Sequence, residues 1–143
     1  MKTVLMLSIA AAAALTPAVA AAQEGGRPFT VQMTGAAERP GPGDPDGAGT
    51  ATFRVNAGQS RVCYTLSVGN IAPATAAHVH RAPPTAAGPV VIPLTAPADG
   101  SSEGCAEVTR ALAQELIQSP GAFYVNVHNA PFPGGAVRGQ LGR

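Results

Sequence analysis

The three histidines of this chain are the residues whose type and spacing point most directly to chemistry. His78 and His80 lie two positions apart in the run 77–81, and His128 ends the run 123–128. Side chains alternate across a strand with a period of two, so His78 and His80 share one face of an extended run. Imidazole is the commonest side-chain ligand for transition metals in proteins. The pattern raises the hypothesis of a metal site at His78, His80 and His128, with copper preferred and zinc as the second choice.

Hydrogen bonding gives the same histidines a second interpretation. Tyr124 and Asn126 share the strand face of His128, and Arg138 lies in the last extended run. These three residues are the predicted partners of the histidines, because buried polar groups need hydrogen bonds and metal-binding imidazoles need supporting contacts. Arg138 could bind an anion or hold the last hairpin by bonding loop carbonyls, and the second role is preferred. On the sequence alone, a structural polar network is preferred over the metal site.

Residues 1–22 carry the pattern of a secretory signal peptide. Lys2 supplies a positive start, residues 4–15 form an apolar run, and small residues that offer cleavage sites follow. Residues 23–28 are predicted to be a disordered mature N-terminus, and residues 29–143 a single domain. The protein is therefore predicted to be secreted or periplasmic, with no membrane span after cleavage.

Composition argues against several functional classes. Removing the signal peptide removes Lys2, the only lysine, and leaves a neutral chain without a basic tract, which argues against nucleic-acid binding. No serine lies in a recognisable nucleophile turn, and no pair of carboxylates suggests glycosidic chemistry. Most of the acidic residues fall in predicted loops or in the predicted helix, and none is placed beside the histidines. The chain is therefore predicted to be non-catalytic.

The two cysteines are predicted to form a disulfide. Cys63 and Cys105 each lie in a short extended run, and exported proteins keep such pairs oxidised. The bond would close a loop of about 40 residues and stabilise the fold by about 4 kcal/mol. A metal-bound or catalytic thiol pair is the alternative that this spacing disfavours.

Short alternating runs separated by glycine and proline turns predict an all-β fold. The predicted strands are 29–34, 50–56, 61–68, 77–81, 90–92, 104–108, 122–129 and 136–141. A long loop without regular structure is predicted over 36–49, and one short helix over 109–119, with Thr109 as its N-cap. This spacing is typical of a β-sandwich or a β-barrel.

Several of these runs resemble the CHRD domain, which is named for chordin and is common in secreted bacterial proteins. The motifs are Ala-His-Val-His at 77–80, Gly-Pro-Val-Val at 88–91, Phe-Tyr-Val-Asn-Val-His at 123–128 and Gly-Ala-Val-Arg-Gly-Gln-Leu at 135–141. The resemblance covers nearly all of residues 29–141. It implies an antiparallel β-sandwich of immunoglobulin-like type, similar to copper/zinc superoxide dismutase, and it implies no general enzymatic activity.

Two functional hypotheses follow. The first is an exported, non-catalytic CHRD β-sandwich module that is structural or binds an unidentified ligand in the cell envelope or extracellular space. The alternative is a copper- or zinc-binding metalloprotein with a His₃ site at His78, His80 and His128. An open coordination position could make such a site redox-active.

Overall fold

The computed structural model describes residues 25–142 of the chain. This part of the chain contains eight strands and one α-helix. The strands are β1 (Arg27–Thr34), β2 (Ala48–Asn56), β3 (Arg61–Gly69), β4 (Ala74–Arg81), β5 (Val90–Leu94), β6 (Ser101–Glu107), β7 (Phe123–Asn129) and β8 (Val137–Gln140). Helix α1 spans Arg110–Gln118, and single 3₁₀ turns span Gly35–Ala37 and Pro120–Ala122. The predicted signal peptide, residues 1–22, lies outside the described residues.

All eight strands form one antiparallel sheet with the order β5-β4-β7-β8-β1-β2-β3-β6. The two edge strands, β5 and β6, approach each other at Thr95, which directly follows β5. The Thr95 backbone N–H donates to the Tyr64 hydroxyl at 2.9 Å, and its carbonyl accepts from the Ser102 hydroxyl at 2.7 Å. The sheet therefore curls into a nearly closed barrel that encloses one core. The predicted all-β antiparallel fold with one short helix is confirmed.

The core fills the inside of this barrel with alternate residues of the strands. In β1, Phe29, Val31 and Met33 are buried, whereas Thr30 and Gln32 are exposed. Inward side chains of the other elements complete the core: Ala51, Phe53, Val55, Val62, Tyr64, Leu66, Ala77, Val79, Ile92, Ala113, Leu116, Phe123, Val125, Val127, Val137 and Leu141. A slip of one residue would turn a strand's inward side chains outward, so this alternation fixes the register of the strands.

The N-terminal part of the domain departs from the sequence prediction in two places. β1 begins at Arg27, so Arg27 and Pro28, which the sequence predicts to be disordered, pair with β2. The guanidinium of Arg27 also packs over the Phe29 ring, with its carbon 5.5 Å from the ring centroid. The segment 36–49, predicted to lack regular structure, begins inside a 3₁₀ turn that ends at Ala37 and finishes inside β2.

Helix α1 confirms the predicted helix and its cap. Thr109 Oγ1 accepts a hydrogen bond from the Leu112 backbone N–H at 3.1 Å, which satisfies one of the free donors of the first turn. Ala113 and Leu116 are buried and join the core, and the helix lies against β2 and β3. Between residues 25 and 142, no helix is long and apolar enough to cross a membrane.

Cys63 and Cys105 form a disulfide, as predicted. They face each other in register on β3 and β6, and the bond spans a sequence separation of 42. It ties the edge strand β6 to its neighbour at the middle of their pairing.

Candidate metal centre

β4 and β7 are neighbouring antiparallel strands that carry all three histidines. Their register sets His78 opposite Asn126, and His128 follows two residues further along β7. His80 lies at the next position on the same face of β4 as His78. The inner face of β7 packs in the barrel core, so the histidines lie on the outer face of the sheet.

The structure brings the three histidines that the sequence singled out into one cluster. One nitrogen from each ring lies within 4.8 Å of the corresponding nitrogens of the other two. Nδ1 of His78 lies 3.2 Å from Nε2 of His128. The ring centroid of His78 lies 5.4 Å from that of His80 and 5.0 Å from that of His128, so the three imidazoles are neighbours.

His80 uses one ring nitrogen to bond the backbone. Its Nδ1 lies 2.8 Å from the Gly88 carbonyl oxygen, and because a carbonyl only accepts, Nδ1 carries the proton and donates it. Nε2 therefore holds the lone pair. This nitrogen is buried and has no hydrogen-bond partner among residues 25–142. An unpartnered buried lone pair is unfavourable, and it is also the form of imidazole that binds a metal ion.

His128 lies between two carbonyl oxygens. Its Nδ1 is 3.0 Å from the Pro133 oxygen, and its Nε2 is 3.0 Å from Oδ1 of Asn126. A neutral imidazole donates through one nitrogen only, so each of its two tautomers has an acceptor in place. When the proton is on Nδ1, Nε2 keeps its lone pair next to His78.

Partial burial favours the neutral form of two of the three histidines, His78 and His128. Burial lowers the pKa of His78, and repulsion from His128 and His80 lowers it further. Burial also lowers the pKa of His128, although the hydrogen bond to the Pro133 carbonyl raises it in part, and repulsion from His80 adds to the lowering. Metal ions bind neutral imidazole, so these shifts favour metal binding near neutral pH.

Tyr124 and Arg138 support His80 from the neighbouring strands. The rings of His80 and Tyr124 stack with centroids 4.7 Å apart and planes 4° apart. The guanidinium carbon of Arg138 lies 3.5 Å from the Tyr124 ring centroid. Arg138 is buried, and it donates to the carbonyl oxygens of Ala86 and Pro83 at 2.9 Å each. Bonding of loop carbonyls is the role preferred for Arg138 from the sequence.

Further side chains hold loop 82–89 against the outer face of β7. Gln140 donates to the Ala82 carbonyl at 2.7 Å, and the Gly88 backbone N–H donates to the Tyr124 hydroxyl at 3.3 Å. The loop thereby covers Tyr124. This cover accounts for the burial of Tyr124, which lies on the outer face of β7.

Glu38 is a residue of this site that the sequence interpretation missed. It follows the first 3₁₀ turn and is only 2% exposed. Burial raises its pKa to about 6, although hydrogen bonds from the Asn126 side chain and the Arg39 backbone, and attraction by Arg138, oppose this rise. Glu38 acts on Asn126 and Arg138 rather than on a histidine ring, so it approaches the cluster only through Asn126. A single amide, that of Asn126, connects the Glu38 carboxylate to His128.

Gly135 is the sequence signal that could have indicated this buried carboxylate. Its φ is 139°, and a Cβ at this position would overlap Oε1 of Glu38. The neighbouring Gly134 has nothing within 4 Å of the position of a Cβ. The sequence predicts a turn at both glycines and does not distinguish them. In the structure, Gly135 rather than Gly134 leaves space for the Glu38 carboxylate.

These observations define an antiparallel β-barrel module with a partly buried polar cluster on the outer face of β4 and β7. A family model for the CHRD domain matches residues 29–141, and the chain belongs to this family. The resemblance seen in the sequence is thereby confirmed. No curated protein and no solved structure gives a match. A family and a fold do not fix an activity, so the cluster is the feature of this chain that bears on its function.

Proposed function

We propose that this domain is a metal-binding module that holds one copper or zinc ion at His78, His80 and His128. The observation that carries the proposal is the buried Nε2 of His80, which lies in the cluster and has no partner within the described chain. A metal ion gives that lone pair a partner. No redox step is assigned to the site.

The spacing of the ring nitrogens supports the proposal. Metal–nitrogen bonds of about 2.0–2.1 Å at a tetrahedral angle separate two ligand nitrogens by about 3.3–3.4 Å. The observed 3.2 Å between Nδ1 of His78 and Nε2 of His128 is close to this separation. The other separations reach at most 4.8 Å. Ring rotations that move a nitrogen by on the order of 1 Å bring them to the tetrahedral value.

The donor set supports copper first and zinc second. Copper(II) binds nitrogen ligands more tightly than the other divalent ions of the first transition row, zinc included. Zinc also accepts three imidazoles with a fourth ligand in a tetrahedral arrangement. The proposed ring ligands are imidazoles, and the lowered pKa values of His78 and His128 favour the neutral, metal-binding form of these two.

An exported setting fits this module. The disulfide between Cys63 and Cys105 is typical of oxidising compartments, and the pattern of residues 1–22 predicts secretion. We place the domain in the periplasm or outside the cell, where it would bind metal ions without catalysing a reaction.

A structural polar network is the competing function. His80 and His128 bond the carbonyls of Gly88 and Pro133, so they also fasten loops to the sheet. These bonds use the Nδ1 atoms, whereas the proposed metal ion uses the Nε2 atoms of the same two rings. The two functions therefore predict different responses to added metal.

The test is a titration of the metal-free mature protein with Cu²⁺ and with Zn²⁺, followed by calorimetry, native mass spectrometry and thermal melting. We expect one ion per chain. At a free-ion concentration about 100 times Kd, the gain in stability is about 2.7 kcal/mol, on the order of 10 °C in Tm for a domain of this size. His80→Ala is expected to weaken binding by at least about 100-fold, since it removes a ligand.

Val79→Ala is the matched control for this variant. Val79 adjoins His80 on β4, but its side chain is buried in the core on the opposite face. Its truncation lowers the stability of the metal-free protein, by about 2 kcal/mol, and leaves metal binding intact. Absence of binding to the wild-type protein, or equal binding by His80→Ala, would overturn the proposal and leave the structural network.

A further inference from the structure

Asn126 lies beside the histidine cluster and is almost completely buried, at 2% exposed. It faces His78 in the pairing of β7 with β4. Its Oδ1 lies 3.0 Å from Nε2 of His128, the nitrogen that also approaches Nδ1 of His78 at 3.2 Å. An oxygen donor is thus positioned at the same ring atoms that the proposed metal ion would use.

Glu38 fixes which end of the Asn126 amide faces the histidines. An ionised carboxylate can only accept hydrogen bonds, so the amide must present its NH₂ group to Glu38. The Asn126 side chain lowers the pKa of Glu38, as expected when its NH₂ group faces the carboxylate. The carbonyl oxygen is then left on the side of His128, as the 3.0 Å contact shows. Without an acceptor at position 38, nothing in this contact would distinguish the amide oxygen from the amide nitrogen.

We propose that Oδ1 of Asn126 is the fourth ligand of the metal ion, and that Glu38 is a positioning residue that turns this oxygen toward the ion. This inference rests on the proposed function, because it describes the coordination of the same ion. It changes the expected site from three imidazoles with an open position to three nitrogens and one amide oxygen.

The geometry around His128 accommodates this ligand. Two ligand atoms at about 2.0–2.1 Å from a metal lie about 2.9–3.4 Å apart for angles between 90° and tetrahedral. The 3.0 Å between Oδ1 and Nε2 falls within this range. When Nε2 binds the ion, the ring proton is carried by Nδ1, and the Pro133 carbonyl at 3.0 Å accepts it. The ring changes tautomer and its charge is unaltered.

The buried charge of Glu38 strengthens the arrangement. A carboxylate that accepts from the amide NH₂ polarises the amide and makes its oxygen a better donor to a cation. Gly135 leaves the space that the carboxylate occupies, since a Cβ there would overlap Oε1 of Glu38. An amide oxygen is also a hard ligand, so the complete set favours a divalent ion over copper(I).

The experiment uses Co²⁺ as the probe, because its visible d–d spectrum reports the ligand set. The variants are Glu38→Gln, which lets either end of the Asn126 amide face the histidines, and Asn126→Leu, which removes the oxygen. Glu103→Gln is the control, since Glu103 is exposed on β6. We expect each site variant to bind Co²⁺ about 10-fold or more weakly, with shifted d–d bands, and the control to match the wild type.

The outcomes separate this inference from the proposed function. Wild-type binding with unchanged affinity and spectrum in both site variants would overturn the inference while the three-histidine site stands. If the spectrum changes in Asn126→Leu but not in Glu38→Gln, Asn126 remains a ligand and the positioning role of Glu38 is overturned. Failure of the wild type to bind Co²⁺, Cu²⁺ or Zn²⁺ would overturn both. Urea unfolding of the metal-free variants shows whether each one is folded.

Discussion

The guanidinium of Arg138 lies directly over the ring of Tyr124, with its carbon 3.5 Å from the ring centroid. The same ring stacks on His80, and β7 lies between the strands of these two neighbours. Arg138 also anchors loop 82–89 through the carbonyls of Pro83 and Ala86. One buried cation thus orders both the loop beside the cluster and the aromatic ring that supports a candidate ligand.

Replacing Arg138 with lysine should therefore be strongly destabilising. Lysine cannot donate to two carbonyls in a planar fork, and the buried oxygens of Pro83 and Ala86 would lose partners. We expect Arg138→Lys to lower the free energy of unfolding by about 2–4 kcal/mol, measured by urea denaturation. Arg54→Lys, on an exposed position of β2, should change it by less than about 0.5 kcal/mol. If both substitutions lowered the free energy of unfolding by the same small amount, Arg138 would not be the residue that anchors loop 82–89.

Glu38→Gln should make the metal-free protein more stable at neutral pH. The folded-state pKa of Glu38 is raised from 4.5 to about 6, so the folded protein binds this proton more tightly than the unfolded chain. The resulting stabilisation is complete below pH 4.5 and is lost as the pH rises through 6. A neutral glutamine avoids that loss, with a gain of about 2 kcal/mol above pH 6. Urea unfolding with a chelator present measures it. A gain that does not depend on pH would contradict this explanation.

The histidine cluster should have the opposite pH dependence. The pKa values of His78 and His128 are lowered, so the unfolded chain binds these protons more tightly. Their contribution to stability is present above pH 6.5, the ordinary value, and is lost as the pH falls through the lowered values. In a Glu38→Gln background, we expect the unfolding free energy to decline on acidification. Adding His78→Gln and His128→Gln should remove that decline, and an unaltered slope would contradict the prediction.

Gly135→Ala should weaken both the fold and metal binding. The new methyl group would displace the Glu38 carboxylate, and the positive φ of 139° is unfavourable for alanine. We expect a loss of stability of about 1–3 kcal/mol and a lower affinity for Cu²⁺. Gly134→Ala is the control, because a methyl group there meets nothing within 4 Å. Calorimetric titration of both variants checks the difference, and identical affinities would disprove it.

Removing the disulfide should affect stability without affecting the cluster. Cys63→Ser with Cys105→Ser opens a loop whose ends are 42 residues apart in the sequence. Because the open loop gives the unfolded chain more conformational entropy, we expect the free energy of unfolding to fall by about 4 kcal/mol. The bond joins β3 to β6, whereas the histidines lie on β4 and β7, so the affinity for Cu²⁺ should not change. Denaturation and metal titration of the double variant measure the two effects separately.

Local patterns predicted most of the strands, because apolar residues at alternate positions turn toward the core. β7 illustrates this, since Phe123, Val125 and Val127 are its inward residues. The family resemblance and the cap at Thr109 were likewise accessible from short stretches of sequence. Such features depend on neighbours within a few residues, which a sequence displays directly.

The surroundings of the cluster could not be predicted in this way. Glu38 and Asn126 are far apart in the chain, and only the pairing of β8 with both β1 and β7 brings their segments together. A glutamate in a loop rich in proline and glycine has the appearance of a solvated residue. The burial of Arg138 beneath loop 82–89 is equally a property of the assembled barrel.

The contacts of Thr95 with Tyr64 and Ser102 bear on how separate molecules of this protein behave toward one another. An open sheet with β5 and β6 at its ends would present two rows of free backbone groups, each a template for a strand from another molecule. Here the two edges meet at Thr95, and the disulfide ties β6 to β3. Fibril-like growth by strand addition would first have to separate them, so the closure protects the folded protein from aggregation at high concentration.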